Sequence, residues 1–149
     1  MPHEQLAGSP RKTYKTLCRH FDSTHSADVP YDALLPSLFH LDVSRFYVQL
    51  ASEADRPRVL AVLGQHAGQG RRVFVGVIDP IDPRVETAEE VRDRVLEAAR
   101  FIDPAYLGTT DDCGFAPFGD DTSTSRDTAF AKIRARVEGT ELASRELGV

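Results

Sequence analysis

Apolar positions along this chain alternate between two rhythms. Arg45-Phe46-Tyr47-Val48-Gln49-Leu50 and Arg72-Val73-Phe74-Val75-Gly76-Val77-Ile78 are short β-branched and aromatic runs, which predict buried strands. Ala105 to Thr110 predicts a third, shorter one. Between and around them the apolar residues return at helical spacing. Leu34, Leu35, Leu38 and Phe39 mark a helix over Tyr31 to Leu41, with Asp28 as cap and Pro30 near its start, although Pro36 removes a donor inside it. Asp55 and Pro57 open a second helix carrying Val59, Leu60, Val62 and Leu63, which Gly68 and Gly70 close. Thr87 and Glu90 form a capping box before Val91, Val95, Ala98 and Ile102, and Pro104 ends that helix. A last helix starts near Thr124 or Ser125, with Phe130, Ile133 and Val137 expected inward and Lys132, Arg134 and Arg136 outward.

Helix and strand segments therefore alternate, and that order predicts an α/β fold of right-handed βαβ units around a parallel sheet. The Arg72–Ile78 run lacks polar alternation, as suits a parallel strand covered on both faces. Such strands belong either to a small open sheet or to a piece of a barrel. In both, ligands gather where strands end at their carboxyl termini.

Composition narrows the classes. The 149 residues are too few for a complete eight-stranded α/β barrel, which needs about 250. No window approaches the roughly 20 consecutive apolar residues of a membrane span, and the amino end lacks a signal-peptide core, so a cytoplasmic protein without membrane partners is expected. A net charge of −5 argues against nucleic acid as a partner. Residues 1–21 carry Arg11, Lys12, Lys15 and Arg19 against Glu4, or +3, leaving −8 for the rest. With Pro2, Gly8 and Pro10 and no apolar period, they are expected to form a loose basic leader before a folded unit at 22–149. Cys18 and Cys113 are too few and too far apart for a disulfide framework, and two thiols or metal ligands are expected instead.

Three stretches follow the strands: Gln49 to Ser52, Asp79 to Arg84, and Asp111 to Gly114. Cys113 directly follows Asp111 and Asp112, whose charge disfavours a lone thiolate, whereas a bound cation would draw the sulfur into coordination; on residue type alone a small residue packed under the loop is the first reading. Cys18 and His20 would share one side of a strand, with His25 nearby, but one Cys-x-His pair is a weak signal, and surface residues in a flexible leader are the safer interpretation. Asp79-Pro80-Ile81-Asp82-Pro83-Arg84 holds two carboxylates and a guanidinium between stiffening prolines. It fits either a substrate-binding loop or a solvated βα turn. Asp120-Asp121 before Thr122, Ser123, Thr124 and Ser125 reads as helix-capping chemistry. There is no Gly-rich phosphate loop, Walker motif or nucleophile elbow.

Three segments together resemble the cobalamin-independent methionine synthase family, in its carboxyl-terminal catalytic barrel. They are Gly76-Val77-Ile78-Asp79 leading to Pro83-Arg84-Val85-Glu86 and Thr87-Ala88-Glu89-Glu90-Val91; the helix that follows; and Asp112-Cys113-Gly114-Phe115. The likeness runs from about Asp22 to the end. Asp22-Ser23-Thr24-His25-Ser26-Ala27-Asp28 and Asp120-Asp121-Thr122-Ser123-Thr124 look most like a branch of shorter, single-barrel homologues, which is also similar to epoxyalkane:coenzyme M transferases.

The resemblance implies the last three or four βα units of a TIM (β/α)8 barrel, incomplete here, and hence a truncated or split product. It implies a zinc-dependent transferase that moves a methyl or alkyl group to a thiol, such as homocysteine, from a methylated folate. Coenzyme M opening an epoxide is the alternative, and a non-catalytic fragment that folds as a homo-oligomer or with a complementary barrel fragment is another. The family takes zinc ligands from a His-x-Cys pair, a glutamate and the cysteine of the Asp-Cys-Gly loop. Cys113 matches that last cysteine, and Cys18 the first, with Thr16 in place of the histidine; Gln49 stands where the glutamate is expected, and an amide is a poor zinc ligand. Asp79 and Arg84 are the expected substrate-binding residues. Fewer than three protein ligands would not hold zinc tightly.

Overall fold

Six residues without a charged side chain after Arg72 leave little choice but a buried strand. The computed structural model describes residues 13–15 by their backbone, and 31–116 and 123–149. It places β1 at Thr13–Lys15, α1 at Tyr31–Leu38, β2 at Arg45–Val48, α2 at Arg56–His66, β3 at Arg72–Ile78, α3 at Ala88–Ala99, β4 at Leu107–Asp111 and α4 at Arg126–Leu147. A single 3-10 turn, Pro104–Tyr106, leads into β4. The fold is α/β with parallel strands, as the alternation predicts. β1, Thr13-Tyr14-Lys15, lies inside the stretch expected to be mostly a loose leader and pairs with β2. A β-branched and an aromatic residue suffice for a short strand when a neighbouring edge supplies the hydrogen bonds. The expected cap Asp28 lies outside the described residues.

Strand order follows chain order, β1-β2-β3-β4. Crossovers of one hand between successive neighbours leave and return on the same side, so the helices share one face of the sheet. Val73, Val75 and Val77 of β3 and Phe46 and Val48 of β2 point to that face, where they form one core with Leu35, Leu60, Leu63, Val91, Val95 and Ala143. The other face is set in rows by register. Tyr47, Phe74 and Gly108 are partners across β2, β3 and β4, and the Tyr47 and Phe74 rings stack at 4.5 Å. A Cβ on Gly108 would strike the Phe74 ring, so glycine there makes room for the aromatic row. Among the described residues this face is lined by its own half-buried side chains rather than by a second layer, unlike the doubly covered strand expected for β3.

Local signals hold up well at the helix starts. Asp55 accepts the Arg58 N–H at 3.2 Å, and Thr87 and Glu90 exchange the two bonds of a capping box. α1 stops at Leu38, two residues past Pro36, instead of continuing to Leu41. Phe39, just beyond, is buried between Phe46 and His66.

α4 overturns the expected inward face. Phe130 is 54% and Val137 49% exposed, whereas Lys132 is fully buried and Arg136 is half-buried against Asp111. The inward stripe is Lys132, Ala135, Gly139 and Ala143. Small side chains at four-residue spacing let α4 lie close on α3: a Cβ on Gly139 would meet Ala88 O at 2.5 Å and Val91 Cβ at 2.5 Å. Close backbone approach outweighs burial of two larger apolar side chains, and helical spacing alone does not distinguish the two faces.

Candidate functional site

The carboxyl ends of β2, β3 and β4 meet through one buried side chain. Asp112, directly after β4, is 5% exposed and reaches across β3 to the turn that follows β2. Its Oδ1 accepts the N–H groups of Leu50 and Ala51, both at 2.9 Å, and its Oδ2 accepts the Ser52 N–H and hydroxyl, both at 3.3 Å. The path runs directly over Gly76: a Cβ there would collide with Asp112 Oδ1 and lie 2.9 Å from Leu50 N. Glycine in the middle of an apolar strand is therefore the sequence trace of this crossing. Burial pushes the Asp112 carboxyl above its ordinary range; the bonds from Ala51, Leu50 and Ser52 oppose this, and the charge of Asp79 adds to the rise. The turn itself is braced from the helix side, where Arg56 donates to Leu50 O at 2.9 Å and to Glu97 at 2.8 Å.

After β3, the loop from Asp79 to Glu86 closes on a second buried polar cluster. Lys132 Nζ donates to Glu86 Oε2 at 2.8 Å, to Asp79 O at 3.0 Å and to Arg84 O, while Glu86 Oε1 accepts the Asp79 N–H at 2.8 Å. Arg94 stands 3.7 Å from Glu86 and donates to Val77 O at 2.7 Å. Every donor of the ammonium thus has an acceptor, which is the condition for burying a charge. Sequence reading placed Lys132 in solvent and missed Glu86. Two complementary charges 46 residues apart carry no local signal of their pairing.

The residues expected to act distribute themselves as follows. Cys113 is buried, 7% exposed, next to Asp112 at the end of β4. Gln49 is half-buried at the end of β2, immediately before the turn that Asp112 holds. Asp79 caps its own loop, accepting the Ile81 N–H at 2.9 Å. Arg84 is 52% exposed and turns to the start of α3, 2.7 Å from Glu90 and 3.7 Å from Asp82. Cys18, Thr16, His20 and His25 lie outside the described residues, as do Asp120 and Asp121. Thr124, near the expected start of α4, donates to Pro80 O at 3.2 Å, and the helix cap itself is Ser125.

The donor set for zinc can be judged from these positions. Among the described residues no three His, Cys, Asp or Glu side chains converge as a metal site. The two carboxylates beside Cys113 are engaged elsewhere, Asp111 with Arg136 at 3.0 Å and Asp112 with the β2 turn. The described residues therefore do not fit a zinc ion by themselves. Cys113 is the single sulfur they offer.

Comparison with known proteins converges on one family. The family described as cobalamin-independent synthase, catalytic domain, matches residues 22–140. A methionine synthase from Saccharolobus islandicus is 29% identical over 117 residues, 78% of this chain and 32% of that protein. One from Thermococcus kodakarensis is 35% identical over 72 residues, 48% of this chain and 20% of that protein. Among solved structures, a B12-independent methionine synthase from a Shewanella species, in complex with selenomethionine, superposes with a TM-score of 0.65 at 26% identity, covering 78% of this chain and 31% of that one. The chain spans about a fifth to a third of the length of these relatives. No helix among the described residues is long and apolar enough to cross a membrane.

Proposed function

The chain belongs to the cobalamin-independent synthase catalytic-domain family, and on that premise we propose that it carries the closing βα units of a transferase that moves a methyl or alkyl group to a small-molecule thiol, homocysteine being the first candidate. The observation that carries this reading is the Asp112-Cys113 end of β4. A buried carboxylate fixes the loop in place, so the adjacent thiol is presented at the carboxyl end of a parallel sheet, where such folds bind ligands. In this reading Cys113 is one thiolate ligand contributed to a zinc site. Its other donors have to come from outside the described residues, with Cys18 as the candidate within this chain. Asp79 and Arg84 form the substrate-side loop, whose backbone Lys132 holds.

Metal analysis of the full chain after zinc reconstitution tests the reading directly. One zinc per chain, lost in Cys113→Ser, supports it; no retained metal in the unaltered chain defeats the zinc assignment. Thiol consumption with homocysteine, and with coenzyme M in parallel, then names the acceptor.

A second reading, a non-catalytic piece that needs a complementary chain, is favoured by the sheet face that no second layer covers among the described residues and by coverage of 32% of the Saccharolobus islandicus methionine synthase. Light scattering of the chain alone separates the two. A lone, cooperatively folding monomer counts against it.

A further inference from the structure

At the amino-terminal ends of the strands, away from the Asp112 turn, Arg45 and Arg72 stand side by side. They are register partners at the starts of β2 and β3. Side chains two positions apart on a strand share a face, so both arginines lie in the row beneath the stacked Tyr47 and Phe74. With Ser44, Gly70 and Tyr106 they line a cavity of about 380 Å³, within the size range of small-molecule pockets. Among the described residues no Asp or Glu lines it. Among the described residues neither guanidinium takes part in an ion pair or a side-chain hydrogen bond, whereas Arg56, Arg84, Arg92, Arg94, Arg136 and Arg145 all do.

Two cations at facing positions of neighbouring strands repel one another, so the arrangement is unfavourable until an anion sits between them. Guanidinium forks match the oxygens of phosphate in paired hydrogen bonds, and the Tyr106 phenol adds a neutral donor to the same cavity. Two positive charges and several convergent donors suit a doubly charged group with three acceptor oxygens better than a single carboxylate. Gly70, with φ of 87° and open space where a Cβ would stand, leaves the cavity mouth unobstructed.

We propose that this end of the sheet is a binding site for the phosphate group of a small molecule, held by Arg45 and Arg72 with Tyr106. The site is separate from the Cys113 end and does not depend on the thiol-transfer reading.

Calorimetric titration of the full chain with inorganic phosphate, against sodium chloride at equal ionic strength, tests it. Saturable heat with phosphate alone is expected. Arg45→Gln/Arg72→Gln should weaken it at least tenfold, while Arg145→Gln, an exposed arginine on α4, should leave it within twofold. Circular dichroism checks that the double variant folds. Should it not, side-chain NMR of the unaltered protein decides: phosphate should move the Nε resonances of Arg45 and Arg72 and leave that of Arg145 in place. Equal response to chloride, or binding that survives the double substitution, overturns the proposal. So does a phosphate-insensitive self-association abolished by the double variant, which would assign the arginines to carboxylates of a second chain.

Discussion

The two ends of this sheet treat charge in opposite ways, buried at one and half-buried to exposed at the other. At the carboxyl ends, Asp112 accepts four hydrogen bonds and Lys132 donates three, each to a partner from another element. At the amino ends, Arg45 and Arg72 stand side by side in register and line a cavity that no acid among the described residues lines. Low dielectric makes the first arrangement consequential, while Arg72 at the second is exposed. A satisfied polar network stiffens the loops it joins, while like charges held in register store a demand for a counter-ion. The first end is built to hold its geometry, and the second to receive something.

Substitutions that break this contrast should differ sharply in cost. The largest effect belongs to Lys132→Met, which leaves the buried Glu86 carboxylate with the Asp79 N–H and, as its one counter-charge among the described residues, Arg94 at 3.7 Å. A loss of about 3–5 kcal/mol is expected in urea unfolding, as for other broken buried pairs. Adding Glu86→Gln should return part of it, and no recovery would mean the cost lies in packing.

Gly76→Ala comes next, at about 2–3 kcal/mol, because the added methyl displaces Asp112 and leaves the Leu50 and Ala51 N–H groups without their acceptor. Peptide-resolved hydrogen exchange should show the loss concentrated at residues 50–52.

Asp112→Asn is milder and sharpens the electrostatic side of the contrast. The folded carboxyl keeps its proton to higher pH than the ordinary 3.8 of the unfolded chain, so its contribution to stability is full below that value and declines as pH rises through the raised folded value. Asn removes this decline and costs about 1 kcal/mol near pH 4, since its amide oxygen still accepts from Leu50 and Ala51. The variant's unfolding free energy plotted against pH should therefore lack that fall; parallel curves would refute the assignment.

Arg72→Gln should change stability least, within about 0.5 kcal/mol, with the sign favouring the variant in phosphate-free buffer, where relief of repulsion is the only effect. Thermal melts in chloride and in phosphate at matched ionic strength compare the two conditions, and the unaltered chain should gain more from phosphate.

Much of this contrast was not legible along the chain. β3 could be read to its last residue, because an unbroken apolar run bounded by Gly70 and Pro80 has few alternatives. The Thr87–Glu90 capping box and the Asp55 cap were equally legible, since every participant lies within three residues of its partner. Cys113 was found by its place after a strand and by the family motif around it. What escaped was long-range. Asp112 was read as a charge disfavouring the neighbouring thiolate, but its partners are about 60 residues away in the β2 turn. α4 was turned the wrong way because residue size was weighed above closeness of approach, and Gly139 against Val91 reverses that order.

By itself the sequence determined the kinds of elements, their parallel arrangement and the family, since these depend on local periodicity and on motifs that survive in order. Tertiary structure alone decided that Lys132 is buried, that a carboxylate crosses β3 at Gly76, and that Arg45 faces Arg72. Each depends on which distant residues the register and the helix packing bring within a few ångströms, and on how the loss of water there raises the cost of any charge left without a partner.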